Sequence, residues 1–331
     1  MRIIVVGAGV AGLSSAVYLR RDGHQVTVLD PLPPGGGASF GNAGMISPGA
    51  HLPQALPGML RQVPGWLMDP LGPLAIRPGT LVRALPWLLR WIGASREPRV
   101  REIAAALHEL HRDSFACWTE LLGAARMEAL FRRQGQMHAW EGGGPGKADL
   151  AGALREQFGI RAQVLDGAAM RDLFPGLSPT VSRGLMMPDH GHVVSPARAI
   201  TALAEVLRAE GGAVCAERVM KLIPAEAGGW LVMTNGANHH ADAVVVSAGA
   251  WSTGMLRMLG IRLPVQAERG YHVSLSDPSV TLPMPISMKS RGFAMTPMEE
   301  GLRCAGTVEI APLEDPPDER RARKLLAHAQ A

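Results

Sequence analysis

"RIIVVGAGVAGLSSAVYLRRDGHQVTVLD" (residues 2–30) carries the most decisive pattern in the chain. A β-branched apolar run turns through Gly7, Gly9 and Gly12, and helix-spaced Leu13, Ala16, Val17 and Leu19 follow before Gly23 stops the helix. Val26 and Val28 alternate into a second strand that ends at Asp30, so the segment reads as a compact βαβ start. Each residue type has a task in cradling a dinucleotide. Gly7 permits the tight turn, Gly9 lets the main chain approach a pyrophosphate, and Gly12 lets the helix pack closely on the sheet. Val10 and Ala11 open the helix, whose N-terminus offers N–H groups and the positive end of its dipole. Asp30 stands where a carboxylate can accept both hydroxyls of an adenosine ribose and would repel a 2'-phosphate, which disfavours NADP. The fingerprint alone does not separate FAD from NAD.

The next stretch favours a flavin over an ordinary surface loop. "PLPPGGG" (31–37) cannot be helix or central strand, because proline lacks the donor and polyglycine loses too much entropy. It is a loop on the rim where a doubly wound sheet holds its ligand. In "GASFGNAGMISPG" (37–49), Ser39 can cap a helix or bond a phosphate oxygen, and Asn42, Ala43 and Gly44, leading into Met45 and Ile46, let main chain lie flat against a planar group. A nicotinamide cofactor needs no second cradle here, whereas a flavin ring does.

The 331 residues suffice for two domains, and with 47% apolar and 19% charged residues the chain is globular. A formal charge of only +4, with arginines scattered among acids, gives no nucleic-acid footprint. Cys117, Cys215 and Cys304 are odd in number and far apart, which suits a reducing, cytoplasmic compartment and small buried side chains rather than a disulfide or metal framework. No apolar run is long enough to span a membrane.

The fingerprint together with "SFGNAGMISPG" (39–49) resembles the D-amino-acid dehydrogenase branch of the FAD-dependent D-amino-acid oxidase superfamily. "RRQGQMHAW" (132–140), "GLMMPDHGHVVSPARAI" (184–200), "ADAVVVSAGAWS" (241–252) and "ERGYHVSL" (268–275) continue the likeness in order. The resemblance implies an α/β fold, with a Rossmann-type FAD-binding domain of parallel sheet and helices and a second α+β substrate domain with an antiparallel sheet. Residues 1–50 and 180–255 are expected to form the first domain, and 51–179 and 256–331 the second. It also implies FAD contacts from the main chain at Val219 and from Ala248, Gly249 and the adjoining Trp251. The superfamily normally continues with a G-x-R-P-x-x-P-D segment and a T-G-H-x-x-x-G turn. Neither occurs before Ala331, so the expected nucleotide sheet lacks its last strand and is completed by a partner subunit or by further chain.

The implied reaction is hydride transfer from an amino acid or secondary amine to the flavin, with oxygen, a quinone or a partner flavoprotein taking the electrons. Such a site needs no triad, but it needs a cation for the substrate carboxylate. Arg269 and Arg291 are the candidates. Tyr271 can orient the amine or carboxylate, His272 can accept the ammonium proton, and Phe293 in "KSRGFAMTP" (289–297) resembles a substrate-side aromatic. Tyr271 and His272 alternate along one strand, so only one of them can face the pocket. An NAD-linked dehydrogenase and a non-catalytic flavoprotein subunit are the competing readings.

Elsewhere, "TLVRALPWLLRWIGASR" (80–96) suits a helix packed within the substrate domain, or one lying on a membrane surface, and packing is the preferred reading. His108 and His111 are read as solvated helix residues without a third metal ligand. "EGGGPGK" (141–147) is read as a connecting loop, and the basic run of "PPDERRARKLLAHAQA" (316–331) as a solvated helix face.

Overall fold

Ile3 to Val6 are buried in the strand Arg2–Val6, which lies inside a four-stranded parallel sheet. The order is Ala213–Cys215, Gln25–Leu29, Arg2–Val6, Ala243–Val246. Runs of Val and Ile suit strands covered on both faces. One covering layer is the helix Val10–Arg21, which buries Leu13, Ala16 and Val17 and packs against the helix Pro196–Ala209. Ser195 caps that second helix at the Arg198 N–H (3.4 Å), Pro196 fits its first turn, and an Arg21–Glu210 ion pair (2.8 Å) ties the two helices at their C-terminal ends. On the other face, a three-stranded antiparallel sheet (Val219–Pro224, Trp230–Thr234, Asn238–Ala241) sets Leu222, Val232 and Ala241 against Ile4, Val6 and Leu29.

The structure, a computed structural model, describes residues 1–59, 71–72, 74–144 and 149–331, so Pro145 to Lys147 of the glycine-rich loop lie outside the described residues. The chain divides into two compact units: Met1–Gly41, Trp118–Leu130 and Ser195–Gln266 form the first, and Asn42–Cys117, Phe131–Val194 and Ala267–Ala331 the second. These boundaries differ from the sequence reading for physical reasons. Met45–Ile46 pairs with Gly191–Val193, which takes residues 42–50 and 180–194 into the second unit. Arg21 donates to the carbonyls of Glu120 and Leu121, which holds Trp118–Leu130 to the first.

The second unit is built on an eight-stranded sheet among the described residues, in the order Arg269–Leu275, Gly301–Ile310, Phe293–Met298, Ile286–Met288, Gln136–Trp140, Arg183–Met187, Gln163–Asp166, with Leu74–Ile76 alongside Gly301–Ile310. It is mixed rather than purely antiparallel, because Ile286–Met288 runs parallel to Gln136–Trp140 and Leu74–Ile76 parallel to Gly301–Ile310. Successive side chains take opposite faces. One face gives Tyr271, Phe293, Cys304, Ile286, Met288 and Met137 to an apolar core that also takes in Met170, Phe174 and Leu325. Registers His272↔Ala305, Ala294↔Ala305, Ser287↔Ala294, His138↔Ser287 and Thr296↔Arg303 put a polar row on the other.

Three local readings change. In the helix Leu81–Ala94 only Ala84 is buried, and an apolar stripe is exposed. His108 stacks on Phe158 at 4.7 Å and the His111 ring bonds the Ala50 carbonyl at 2.6 Å, so neither is simply solvated. In the C-terminal helix Glu319–Gln330, Arg321 is buried and donates to the Gly72 carbonyl (2.7 Å), because the basic run turns one residue inward against the sheet.

Candidate active site

The first unit carries a nucleotide cradle. Gly7 adopts φ +111°, and a β-carbon there would sit 2.5 Å from the Ser247 carbonyl oxygen, so only glycine passes. At Gly12 a β-carbon would run into the Gly7 carbonyl, which shows how closely helix and turn are packed. Gly9 at the N-cap contributes no side-chain bond, the first turn of the helix holds no acid, and Ser39 Oγ accepts the Val10 N–H at 3.1 Å. Ser39 thus caps this helix. Asp30 Oδ2 accepts the Ala8 N–H and Oδ1 the Leu32 N–H, each at 2.8 Å. A carboxylate has about four acceptor positions, so two main-chain bonds fix its orientation and leave capacity for a diol. A helix N-terminus free of acids in its first turn, a glycine turn and an oriented carboxylate together fit the adenosine diphosphate half of FAD. Val219 opens its strand at a bulge, Ala248 and Gly249 follow the strand Ala243–Val246, and Trp251 is 54% exposed.

In the second unit the Asn-Ala-Gly loop is shaped by its own residues. Asn42 Oδ1 accepts the Gly44 N–H (2.7 Å), a turn closed by a side chain. Gly44 has φ +65°, its carbonyl accepts the Val193 N–H (2.8 Å), and a β-carbon would fall 2.7 Å from Met298 Cε. Beyond it lies a polar brace that sequence reasoning missed. Buried Gln136 donates through Nε2 to the carbonyls of Ile46 (3.2 Å) and Gly191 (2.7 Å), while its Oε1 accepts Ser47 Oγ (2.9 Å) and faces His190 Nδ1 (3.2 Å). His190 Nε2 accepts the Gly49 N–H at 3.1 Å, which makes the ring a neutral Nδ1–H tautomer. Burial pulls the His190 pKa down to about 4, and burial with the nearby Arg132 does the same to His192.

The polar face of the large sheet carries several buried or half-buried polar groups. Arg303, buried in Gly301–Ile310, donates to the Asn42 carbonyl at 3.3 Å, and Ser287 Oγ approaches Met45 Sδ at 3.9 Å. The hydroxyl of Thr296, opposite Arg303 in register, is buried with no hydrogen-bond partner. His272 shares this face and is half-buried, and burial and the Arg303 charge lower its pKa, so the ring is neutral near pH 7.

The other sequence candidates have structural partners. Arg269 donates to Glu309 Oε2 (3.4 Å) and to the carbonyls of Pro312, Leu313, Asp315 and Pro316, so it staples a turn. Arg291 grips Glu141 with two nitrogens and holds its pKa down. Tyr271 donates to Glu309 Oε2 (2.6 Å) and accepts the Asp318 N–H (2.9 Å), while burial and that carboxylate push its pKa up. Phe293 packs in the core and meets the His328 ring edge-on at 5.8 Å. Strand alternation places both aromatics: Tyr271 and Phe293 lie on the core face of their strands, and His272 and Ala294 on the other. Arg303 carried no recognisable sequence signal, because a lone arginine in "GLRCAG" (301–306) looks like any exposed strand residue.

The cysteines are free; Cys304 is buried, with a pKa raised to about 11, and Cys117 is exposed rather than buried as expected. No cluster of three metal-ligating side chains occurs among the described residues, and no helix among them is long and apolar enough to cross a membrane.

Residues 2–331 match the family described as FAD dependent oxidoreductase. The chain is 38% identical to a D-amino-acid oxidase of Bradyrhizobium diazoefficiens, across 98% of this chain and 78% of that protein. It is 31% identical to a D-amino acid dehydrogenase of Rhodopseudomonas palustris, across 94% and 75%. Among solved structures, glycine oxidase from Geobacillus kaustophilus superposes with a TM-score of 0.66 over 99% of this chain and 77% of that one, at 18% identity, a likeness of fold. The glycine cradle, the aspartate at its rim and these matches lead to one conclusion: the chain belongs to the FAD-dependent oxidoreductase family.

Proposed function

We propose that this enzyme oxidises D-amino acids, with the substrate carboxylate held by Arg303 and the amine deprotonated by His272. The observation that carries the reading is the pairing of a buried guanidinium with a neutral imidazole on one polar sheet face, beside a glycine-shaped loop. The kinship with a D-amino-acid oxidase supports the substrate class.

Burial favours an anion beside Arg303, and the planar guanidinium matches a carboxylate fork. Thr296 Oγ1 supplies a further donor at that end of the substrate. His272 takes one proton from the substrate ammonium, leaving the nitrogen lone pair to form the C=N bond as the Cα–H departs. FAD, when bound, supplies the two-electron acceptor for that hydride at N5. Water then converts the released imino acid to an oxo acid and ammonia. Gly7, Gly9, Val10, Ala11, Gly12, Asp30 and Ser39 are proposed to hold the nucleotide half of the cofactor, together with Val219, Ala248, Gly249 and Trp251. Asn42, Ala43, Gly44, Met45 and Ile46 are proposed for the ring. The electrons pass to oxygen, a quinone or a partner flavoprotein, and the three free cysteines support a cytoplasmic setting.

The test compares a D-amino acid with the amine of the same side chain lacking the carboxylate, following oxygen uptake and quinone reduction in parallel. Loss of the carboxylate should cost about 10 to 150-fold in kcat/KM. Equal turnover of the two would sink the assignment of Arg303.

A further inference from the structure

The helix Leu81–Ala94 exposes Leu81, Val82, Leu85, Leu89 and Ile92, with Val82 at 80% and Leu89 at 59%. At about 100° per residue these five fall within an arc of about 100°, one continuous stripe. Ala84, on the far edge beyond half-buried Leu88, is buried, so the helix is fixed to its unit by one side only. Arg83 and Arg90 lie beyond the Val82 edge, and exposed Arg96 follows the helix. Residues 81–96 contain no acid, and these three arginines form no ion pair with the described residues.

We propose that this helix docks on an anionic lipid surface, its leucine stripe entering the headgroup boundary and its arginines meeting lipid phosphates. Charge decides the occupant. A second copy seated stripe to stripe would bring six arginines together with no counter-charge, whereas an anionic bilayer complements every one of them. Arginine also suits this place, because its stem can cover apolar surface while the guanidinium stays among headgroups. The inference is independent of the catalytic reading, since it uses none of the residues assigned to substrate or cofactor.

The experiment is co-sedimentation of the full chain with phosphatidylcholine vesicles, with and without phosphatidylglycerol. Binding is expected to vesicles carrying phosphatidylglycerol, to weaken with salt, and to fall about fivefold for each of Arg83→Gln and Arg90→Gln. Leu85→Glu with Leu89→Glu should lower it at least about tenfold while circular dichroism stays that of the parent, as both side chains are exposed. No binding to phosphatidylglycerol vesicles, or binding that ignores the leucine changes, overturns the proposal. So does a solution dimer that those leucine changes dissolve.

Discussion

Arg303 donates across 3.3 Å to the main-chain carbonyl of Asn42, joining the large sheet to the loop whose composition first pointed to a flavin. That bond gives the guanidinium a fixed direction on a face it shares with His272. Substitution should separate charge from shape. Arg303→Lys keeps the cation but loses the fork, and Arg303→Met loses both, so kcat/KM for a D-amino acid should fall in the order parent, Lys, Met, with about 10 to 150-fold between the ends. Steady-state kinetics on the two variants checks this, and the loss should lie mainly in KM.

Tyr271→Phe makes the opposite prediction. The hydroxyl serves Glu309 and the Asp318 N–H, so its removal should cost about 1–3 kcal/mol of stability and leave KM within about twofold of the parent. Denaturant unfolding set beside kinetics decides between a structural and a substrate-binding tyrosine.

Much of the fold was legible because it rests on periodicities. The βαβ start reads directly from Gly7 to Asp30, and the later strands from their alternation. Which of two adjacent polar or aromatic residues lies on the polar face was not legible, since register is fixed by partners far along the chain: His272 is placed by Ala305, and Ala305 by Ala294. Arg269 and Arg291 looked like candidates because their carboxylate partners, Glu309 and Glu141, lie 40 and 150 residues away. Gln136 was hidden for the same reason, its four bonding partners coming from two other segments.

The Gln136–His190 brace predicts acid sensitivity. His190 and His192 have folded pKa values of about 4, below the unfolded value of about 6.5. Between those values the unfolded chain binds more protons, so stability falls as pH drops from about 6.5 towards 4, by up to about 3 kcal/mol per histidine, and neither contributes above that window. Urea unfolding at several pH values should show this slope, and His190→Gln should flatten it while losing some stability at pH 7.

Asp30→Asn tests the nucleotide cradle. One amide oxygen can still accept the Ala8 N–H, but the charge and half the acceptor capacity are gone. FAD affinity should fall about 10 to 150-fold with little change in thermal midpoint of the flavin-free protein, as read by flavin fluorescence titration.

The central claim, that a flavin loaded on this chain takes electrons from a D-amino acid anchored by Arg303, meets its most direct test in anaerobic reduction. Under exclusion of oxygen, D-amino acids should bleach the flavin band of the parent protein, and Arg303→Met with equal flavin content should need at least about tenfold more substrate for the same bleaching. A flavin band that no amino acid bleaches, or one that responds identically in parent and variant, would contradict the account.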